Sequence, residues 1–388
     1  MSNVGDTATN RFRVMRVIAR MNIGGPAIQI SGLCRHLDPA TFDHRLYTGF
    51  CAVDEVDYIN ARATDINAHR VPTLGRSIGL IADLKAFLYL RKEIKDFAPD
   101  IIHSHTAKAG VITRLAYLSV RHKSKIVHTF HGHILIGYYG KLITKLIVLL
   151  ETFLAYFTDK IFAVGEIVLN ELLHVGIGKK SKYVLMPPGL ELGKLESKDE
   201  ARRRLNLSID GLICGYIVRV TQVKRPDRFL DVVRRSVEEK LALTFVVAGD
   251  GDLLTAIRIT AEEENLPIVF LGMVSEIELV FSAIDMVVMT SDNEGMPLTL
   301  IQAGMAKLPS VTTDVGSSRH VVLHKESGYV TDKLDPIEIT EGLRKLTLDA
   351  NLRESMGHAA FKHCNENFSV LRLTKDHTNE YLKLLNKS

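Results

Sequence analysis

The chain predicts an α/β protein of two doubly wound, Rossmann-like domains, each built on a parallel sheet. Three observations carry this. Short β-rich runs alternate with amphipathic helical runs along the whole chain, the pattern of repeated strand–helix–strand units. A length of 388 residues suits two domains of ordinary size. The alternation is interrupted at Met186-Pro187-Pro188-Gly189-Leu190-Glu191, and a polar, charged stretch then runs to Arg204. Two prolines and a glycine between patterned halves read as a boundary. The expected division is 13–187, 188–369 and a closing helix over 370–388.

Composition narrows the class. With 46% hydrophobic and 24% charged residues the chain is ordinary globular material. A formal net charge of +4, and no run of like charges longer than Arg202-Arg203-Arg204, give nucleic-acid binding no support. Cys34, Cys51, Cys214 and Cys364 are scattered without metal or redox spacing, which fits a reduced, cytosolic setting without disulfides. The first twelve residues are mostly polar and lack the apolar core of a signal peptide, so they read as a loose tail.

In the first half, strands are expected over 14–19, 44–48, 101–103, 126–129 and 160–163, and helices over 27–37, 81–97, 106–119 and 166–175. After the first strand comes Arg20-Met21-Asn22-Ile23-Gly24-Gly25-Pro26-Ala27. Paired glycines let backbone approach a ligand closely, and the helix start beyond them presents free N–H groups. The spacing is not that of a dinucleotide fingerprint, and a plain tight turn explains it equally well. The segment 134–157 is very apolar but is interrupted by Gly137, Gly140, Lys141, Lys145 and Glu151, so it does not read as a spanning helix. A helix over 139–157 is expected, and a mostly buried one is preferred to one lying on an anionic membrane with its lysines at the headgroups.

Val127-His128-Thr129-Phe130-His131-Gly132-His133 ends another expected strand. A neutral imidazole there could donate to an oxygen of a ligand, whereas two of these histidines read as strand or loop caps. His103 and His105 end the neighbouring strand, so a zinc cluster is a rival reading. It lacks any cysteine or carboxylate at ligand spacing.

The second half restarts with strands expected over 212–218, 244–247, 269–271, 285–289, 310–312 and 328–330, and helices over 227–238 and 253–264. Arg219 and Lys224 follow the first of these strands. Two fixed cations in one loop at a strand end suit an anionic ligand, and they lower the barrier where negative charge develops. Arginine gives planar bidentate contacts and lysine a point charge. Gly249-Asp250-Gly251-Asp252 reads as a tight turn with Asp252 as an N-cap rather than as a metal motif. The run over 370–385 closes the chain as an amphipathic helix with Leu371, Leu382 and Leu385 on its apolar side.

The richest stretch is Ser291-Asp292-Asn293-Glu294-Gly295-Met296-Pro297-Leu298-Thr299-Leu300-Ile301-Gln302. A buried strand runs into an acidic loop ending at Glu294, and Pro297 suits the first position of a helix because its φ is already helical. The next free N–H groups, on Leu298 and Thr299, would face an anion at the positive end of the helix dipole. Glu294 and Gln302 stand eight positions apart on either side of that phosphate seat, as a nucleotide-sugar site requires.

These four segments, in this order, resemble the family-four retaining glycosyltransferases, and the resemblance runs over residues 14–385. It implies the GT-B fold, two facing Rossmann-like domains with a C-terminal helix, whose strand ends form the walls of a cleft. It implies transfer of a hexose from a nucleotide-diphosphate sugar with retention, without cofactor or metal. Gly24 and Gly25 would cap the donor phosphate, Arg219 and Lys224 would neutralise the pyrophosphate, and Met273 would mark the strand end that holds the base through backbone groups. His131 would sit beside the transferred sugar, Glu294 would accept from its hydroxyls and Gln302 would contact ribose. The family's second glutamate is Gln302 here, an amide that can accept from a hydroxyl but carries no charge. The run 106–114 with the histidine segment is similar to bacterial transferases that build surface polysaccharides on lipid carriers, which would place the protein in the cytoplasm at the inner face of the membrane. A nucleotide-sugar epimerase of the same architecture and a non-catalytic sugar-nucleotide sensor are the alternative readings.

Overall fold

The structure, a computed structural model, describes residues 11–120, 122–132, 140–331 and 334–386. Of the expected loose tail over 1–12, residues 1–10 lie outside the described residues, as do His133, Gly137 and the start of the apolar segment up to Tyr139, while Phe12 opens the first strand instead. The chain divides into two compact units. One runs to Leu190 and takes up the chain again from Val370, and the other is Glu191–Ser369.

In unit 1 the elements follow as β1 (Phe12–Ile18), α1 (Gly25–His36), β2 (Phe42–Thr48), α2 (Tyr58–Arg62), β3 (Ala68–Arg70), α3 (Leu80–Phe97) and β4 (Ile101–His105). They continue as α4 (Ala107–Val120), β5 (Lys125–Phe130), α5 (Lys141–Tyr156), β6 (Lys160–Ala163), α6 (Glu166–His174) and β7 (Tyr183–Leu185). All pairings are parallel, in the order β3-β2-β1-β4-β5-β6-β7. Strands buried on both faces explain the unbroken apolar runs such as Val14-Met15, Val17-Ile18 and Ile101-Ile102. Met15 and Val17 pack under α3 and α4, and Val14 packs under α1 with Leu373, Tyr381 and Leu384 of the C-terminal helix.

Unit 2 contains α7 (Lys198–Arg204), β8 (Leu212–Ile217), α8 (Pro226–Glu238), β9 (Leu243–Ala248), α9 (Leu254–Glu263), β10 (Ile268–Gly272), α10 (Ile277–Ala283) and β11 (Met286–Met289). It then has α11 (Leu298–Met305), β12 (Ser310–Thr313), α12 (Ser318–Val321), β13 (Gly328–Thr331), α13 (Pro336–Leu348) and α14 (Ala350–Phe368). The last helix, α15 (Val370–Leu385), belongs to unit 1. The second sheet is also parallel, in the order β10-β9-β8-β11-β12-β13. In both sheets the order reverses beside the first strand of the unit, between β1 and β4 and between β8 and β11. That switch point is where doubly wound sheets bind ligands, at the carboxyl ends of the strands.

Three expectations need correction. The apolar helix α5 is not mostly buried: Leu142, Leu149 and Tyr156 are 73%, 68% and 76% exposed, and Ile143, Leu146 and Phe153 are exposed beside them. A helix lying as a single layer on a sheet can bury only one stripe. Here that stripe includes Glu151, which pairs with the buried Arg114 at 2.7 Å, together with Leu154 and Ala155. In α15 the buried stripe is Val370, Leu373, His377, Tyr381 and Leu384, whereas Leu371 is 65% exposed. Asp252 caps nothing, because α9 begins at Leu254 with Leu253 in the cap position.

Candidate functional site

In unit 2 the loop after β8 carries both predicted cations, and the neighbouring strand's turn shapes it. Val220 N–H donates to the Asp250 carbonyl at 2.9 Å and Leu253 N–H to the Val220 carbonyl at 3.1 Å. A Cβ on Gly249 would lie 1.9 Å from the Val218 carbonyl oxygen, and one on Gly251 would lie 2.2 Å from that of Val220. The Gly-Asp-Gly turn is therefore a backbone cradle for the Arg219 loop. The Lys224 carbonyl accepts from the Tyr216 and Thr290 hydroxyls at 2.8 and 3.0 Å, which ties the loop to β8 and to the end of β11.

Beyond β11 the chain turns through Thr290 and Ser291, both fully buried, to Glu294. One Glu294 oxygen accepts from Lys224 Nζ at 2.5 Å and from Ser291 Oγ at 2.6 Å. The loop is fastened by Thr313 Oγ1, which donates to the Ser291 carbonyl at 2.7 Å, and by Gly316, whose Cβ would lie 1.5 Å from the Glu294 carbonyl oxygen. Gly316 has φ +55°, so glycine is required there on two counts. Arg225 and Arg228 are spent on the same loop, bonding Asp292 at 3.0 and 2.7 Å, with Arg228 also donating to the Thr290 carbonyl. Burial works against the Asp292 carboxylate, but the bonds from Arg228 and Arg225 outweigh it and hold its pKa below the usual range. Arg219 is exposed and makes no ion pair among the described residues.

Helix α11 starts one residue later than expected. Pro297, with φ −77° and ψ 95°, is the N-cap and not the first helical residue. Its carbonyl accepts from Leu300 and Ile301, so the Leu298 and Thr299 N–H groups, one turn short of any helical acceptor, have no partner among the described residues. Thr299 Oγ1 bonds the Ile217 carbonyl at 3.1 Å and pins this helix start to the end of β8. Gln302, one turn on, is half-buried with no side-chain bond among the described residues. Met273 follows Gly272 (φ +66°) at the end of β10 and is exposed. One edge of unit 2 thus gathers two unpartnered amides, an unpaired guanidinium, a lysine–carboxylate pair and a free amide. Such a set can hold a phosphorylated group beside a hydroxyl-accepting carboxylate. A cavity in unit 2 of ≈ 470 Å³, lined by Lys198, Asp285, Lys307 and Arg353 among others, lies at the opposite, amino ends of β11 and β12.

In unit 1, Gly24 is the N-cap of α1 and Pro26 stands in its first turn. His131 directly follows β5, and its Nε2 lies 2.9 Å from His105 Nδ1. Burial, and secondarily the Arg16 guanidinium, lower the His131 pKa to about 4, so the ring is neutral at ordinary pH. His128 takes no part: it faces the opposite side of the sheet, bonds Ser104 and fits beneath Gly110. His103 and His105, which prompted the zinc reading, lie around the buried Arg16 guanidinium. Ser291, Gly316 and Arg16 escaped the sequence reading. Serine and glycine are common in loops, and a core arginine gives no local pattern.

The family model described as "Glyco_transf_4: Glycosyltransferase Family 4" matches residues 23–194, and that described as "Glycosyl transferases group 1" matches residues 197–363. An Escherichia coli protein named UDP-Gal:alpha-D-GlcNAc-diphosphoundecaprenol alpha-1,3-galactosyltransferase is 27% identical over 76% of this chain and 77% of its own length. The capsular polysaccharide biosynthesis glycosyltransferase CapM of Staphylococcus aureus is 24% identical over 83% and 86%. Among solved structures, Anabaena HepE in complex with UDP and glucose superposes with a TM-score of 0.79 at 17% identity, covering 95% of this chain and 99% of that one.

Proposed function

We propose, this chain being a member of the group 1 and family 4 glycosyltransferases with the GT-B fold, that it moves a hexose from a UDP-sugar to a lipid-linked saccharide precursor with retention at the anomeric carbon. The observation that carries this is the edge of unit 2 where Lys224 meets Glu294 beside the unpartnered Leu298 and Thr299 amides. Arg219, Lys224 and the two amides bind the diphosphate, and their fixed dipoles and charges stabilise it as it leaves. Glu294 accepts from the sugar hydroxyls, and Gln302 bonds ribose. Gly24, Gly25, Met273 and His131 keep the roles the family resemblance implies. UDP is favoured by the names of the relatives, as is an acceptor on a diphospho-lipid.

A lipid-linked acceptor requires contact with a membrane, and α5 supports this. Among the described residues no helix is long and apolar enough to cross a membrane. The exposed apolar face of α5 ends beside Lys182, whose Nζ donates to the Ala155 and Tyr156 carbonyls at 2.9 and 2.8 Å, with Lys179, Lys180 and Lys160 close in sequence or structure. Hydrocarbon flanked by lysines suits the surface of an anionic bilayer. The test is incubation of the purified protein with UDP- and GDP-sugars, with and without a polyprenyl-diphospho-sugar acceptor. Acceptor-dependent release of nucleoside diphosphate is expected. An epimerised sugar, or binding with no release from any donor, would overturn the reading.

A further inference from the structure

Arg16, on β1, is fully buried, and among the described residues it bonds three histidines and a tyrosine but no carboxylate. Its Nε donates to His44 Nε2 at 3.0 Å, its Nη1 to His105 Nε2 at 2.8 Å and His103 Nδ1 at 3.3 Å, and its Nη2 to the Tyr381 hydroxyl at 2.8 Å. Tyr381 in turn lies 2.6 Å from His103 Nδ1, and His103 Nε2 lies 2.7 Å from Thr129 Oγ1. A buried cation surrounded by neutral acceptors is costly. The fold nevertheless holds it from the two neighbouring strands, β2 and β4, and from the C-terminal helix.

We infer that Arg16, acting through His105, locks His131 as a neutral imidazole whose proton sits on Nδ1, making it a hydrogen-bond donor and never a base. The assignment follows from counting protons. A guanidinium has five N–H donors and no acceptor, so His105 Nε2 must present its lone pair to Arg16. A neutral imidazole has one N–H, so the His105 proton is on Nδ1, which lies 2.9 Å from His131 Nε2. His131 Nε2 is therefore the acceptor, and its own proton must be on Nδ1. That Nδ1 is buried and has no partner among the described residues. An unpaired buried N–H is a donor kept for an oxygen that arrives with a ligand.

The positive charge of Arg16 polarises both imidazoles in the same sense, so the His131 N–H is a stronger donor than an isolated imidazole's. Arg16 and His105 are positioning residues, since neither need touch the substrate. The ligand class is an oxygen with a free lone pair, a hydroxyl or phosphoryl oxygen of the nucleotide-sugar. Only this last step rests on the proposed function. The tautomer itself does not.

The test uses the full chain labelled with ¹⁵N-histidine and long-range ¹H–¹⁵N correlation, with His131 assigned by loss of its signals in His131→Gln. Wild-type His131 should show a protonated Nδ1 and a bare Nε2, the reverse of the tautomer that free imidazole side chains favour. A protonated Nε2 in the wild-type protein would overturn the inference. His105→Gln can accept from Arg16 through its oxygen and donate to His131 through its amide, so it should keep the Nδ1–H form and most of the turnover. His105→Leu should move the proton to Nε2 and lower kcat about tenfold or more, with a smaller change in donor KM. An unchanged tautomer in His105→Leu would sink the relay. A changed tautomer with unchanged turnover would support the relay and remove His131 from the sugar.

Discussion

Lys224→Ala should abolish most turnover and also cost stability, and the two losses have different origins. Lys224 Nζ bonds Glu294 at 2.5 Å, and the Glu294 side chain is only 9% exposed against 22% for the lysine. Removing the lysine leaves the carboxylate with Ser291 Oγ as its remaining donor among the described residues. Breaking a fully buried pair costs about 3–5 kcal/mol, so this largely buried one, whose lysine still reaches solvent, should cost about 2–3 kcal/mol. At about 2–4 °C per kcal/mol for a unit of this size, Tm should fall by roughly 4–12 °C. The kinetic loss is separate, about 2–4 kcal/mol or about 30- to 1000-fold in kcat, because one preorganised charge is missing where the diphosphate departs. A double-mutant cycle separates the two terms. In Glu294→Gln the amide oxygen still accepts from lysine and serine but carries no charge, so adding Lys224→Ala there should cost at least about 1 kcal/mol less stability than in wild type. Thermal unfolding and donor-saturated turnover on all four proteins supply the numbers. Wild-type turnover in Lys224→Ala, with the stability loss alone, would refute the clamp and leave the lysine a structural partner of Glu294.

Arg219→Lys should weaken UDP binding about tenfold by calorimetry, because a point charge cannot reproduce bidentate contacts; unchanged affinity would remove Arg219 from the phosphate site. Gln302→Glu should leave donor binding intact or tighten it, since a carboxylate accepts hydroxyl protons more strongly, and lost binding would mean that the amide was donating. The protein should sediment with anionic vesicles and release in salt, and Leu146→Lys with Leu149→Lys should weaken this without lowering Tm, because both leucines are exposed; wild-type protein left in the supernatant at low salt would end the membrane reading. Acid should unfold unit 1 steeply. Burial, aided by Arg16, depresses His44, His103, His105, His131 and His377, and burial with Arg114 depresses His128. Between the ordinary histidine value and about pH 4 the unfolded chain binds protons that the folded chain refuses, so stability falls as pH drops through that window. A dependence no steeper than about 1.4 kcal/mol per pH unit, one proton's worth, would contradict a cluster of neutral histidines.

The strand–helix alternation was legible because fully buried parallel strands must be apolar throughout, and β6 and α15 fall on the residues their patterns select. The edge strands β3 and β7, three residues each, left no run long enough to register. Helices α13 and α14 fill the stretch between the last strand and the closing helix, which the pattern reading left blank. Of the candidate site, Arg219, Lys224, Glu294 and Gln302 were singled out by the resemblance of four segments in order, since a lone surface cation or amide is common on any protein. Lys224 bonding Glu294 could not be read, since two loops seventy residues apart meet only through the adjacency of β8 and β11. Gly316 and Ser291 matter for the same reason, through a close approach that sequence distance hides.

Helix α5 misled the pattern reading in an instructive way. An apolar helix was expected to bury most of its leucines, yet the stripe it buries holds Glu151, bound to Arg114, with Leu154 and Ala155, while Leu142, Leu146 and Leu149 face outward. For stability alone this is the wrong way round. A hydrophobic replacement of a buried ion pair is often neutral or stabilising by about 1–4 kcal/mol, and each leucine left in water forgoes about 1.5–3 kcal/mol of burial. The pair is better understood as a device that fixes the rotation of the helix. Turning α5 about its axis to bury the leucines would strand a charge on each partner, and truncating one side of such a pair costs about 3–5 kcal/mol. Arg114 and Glu151 thus hold outward a surface that hydrophobic packing would otherwise draw in. The vesicle measurement is therefore also the measurement that explains why a carboxylate lies inside this unit.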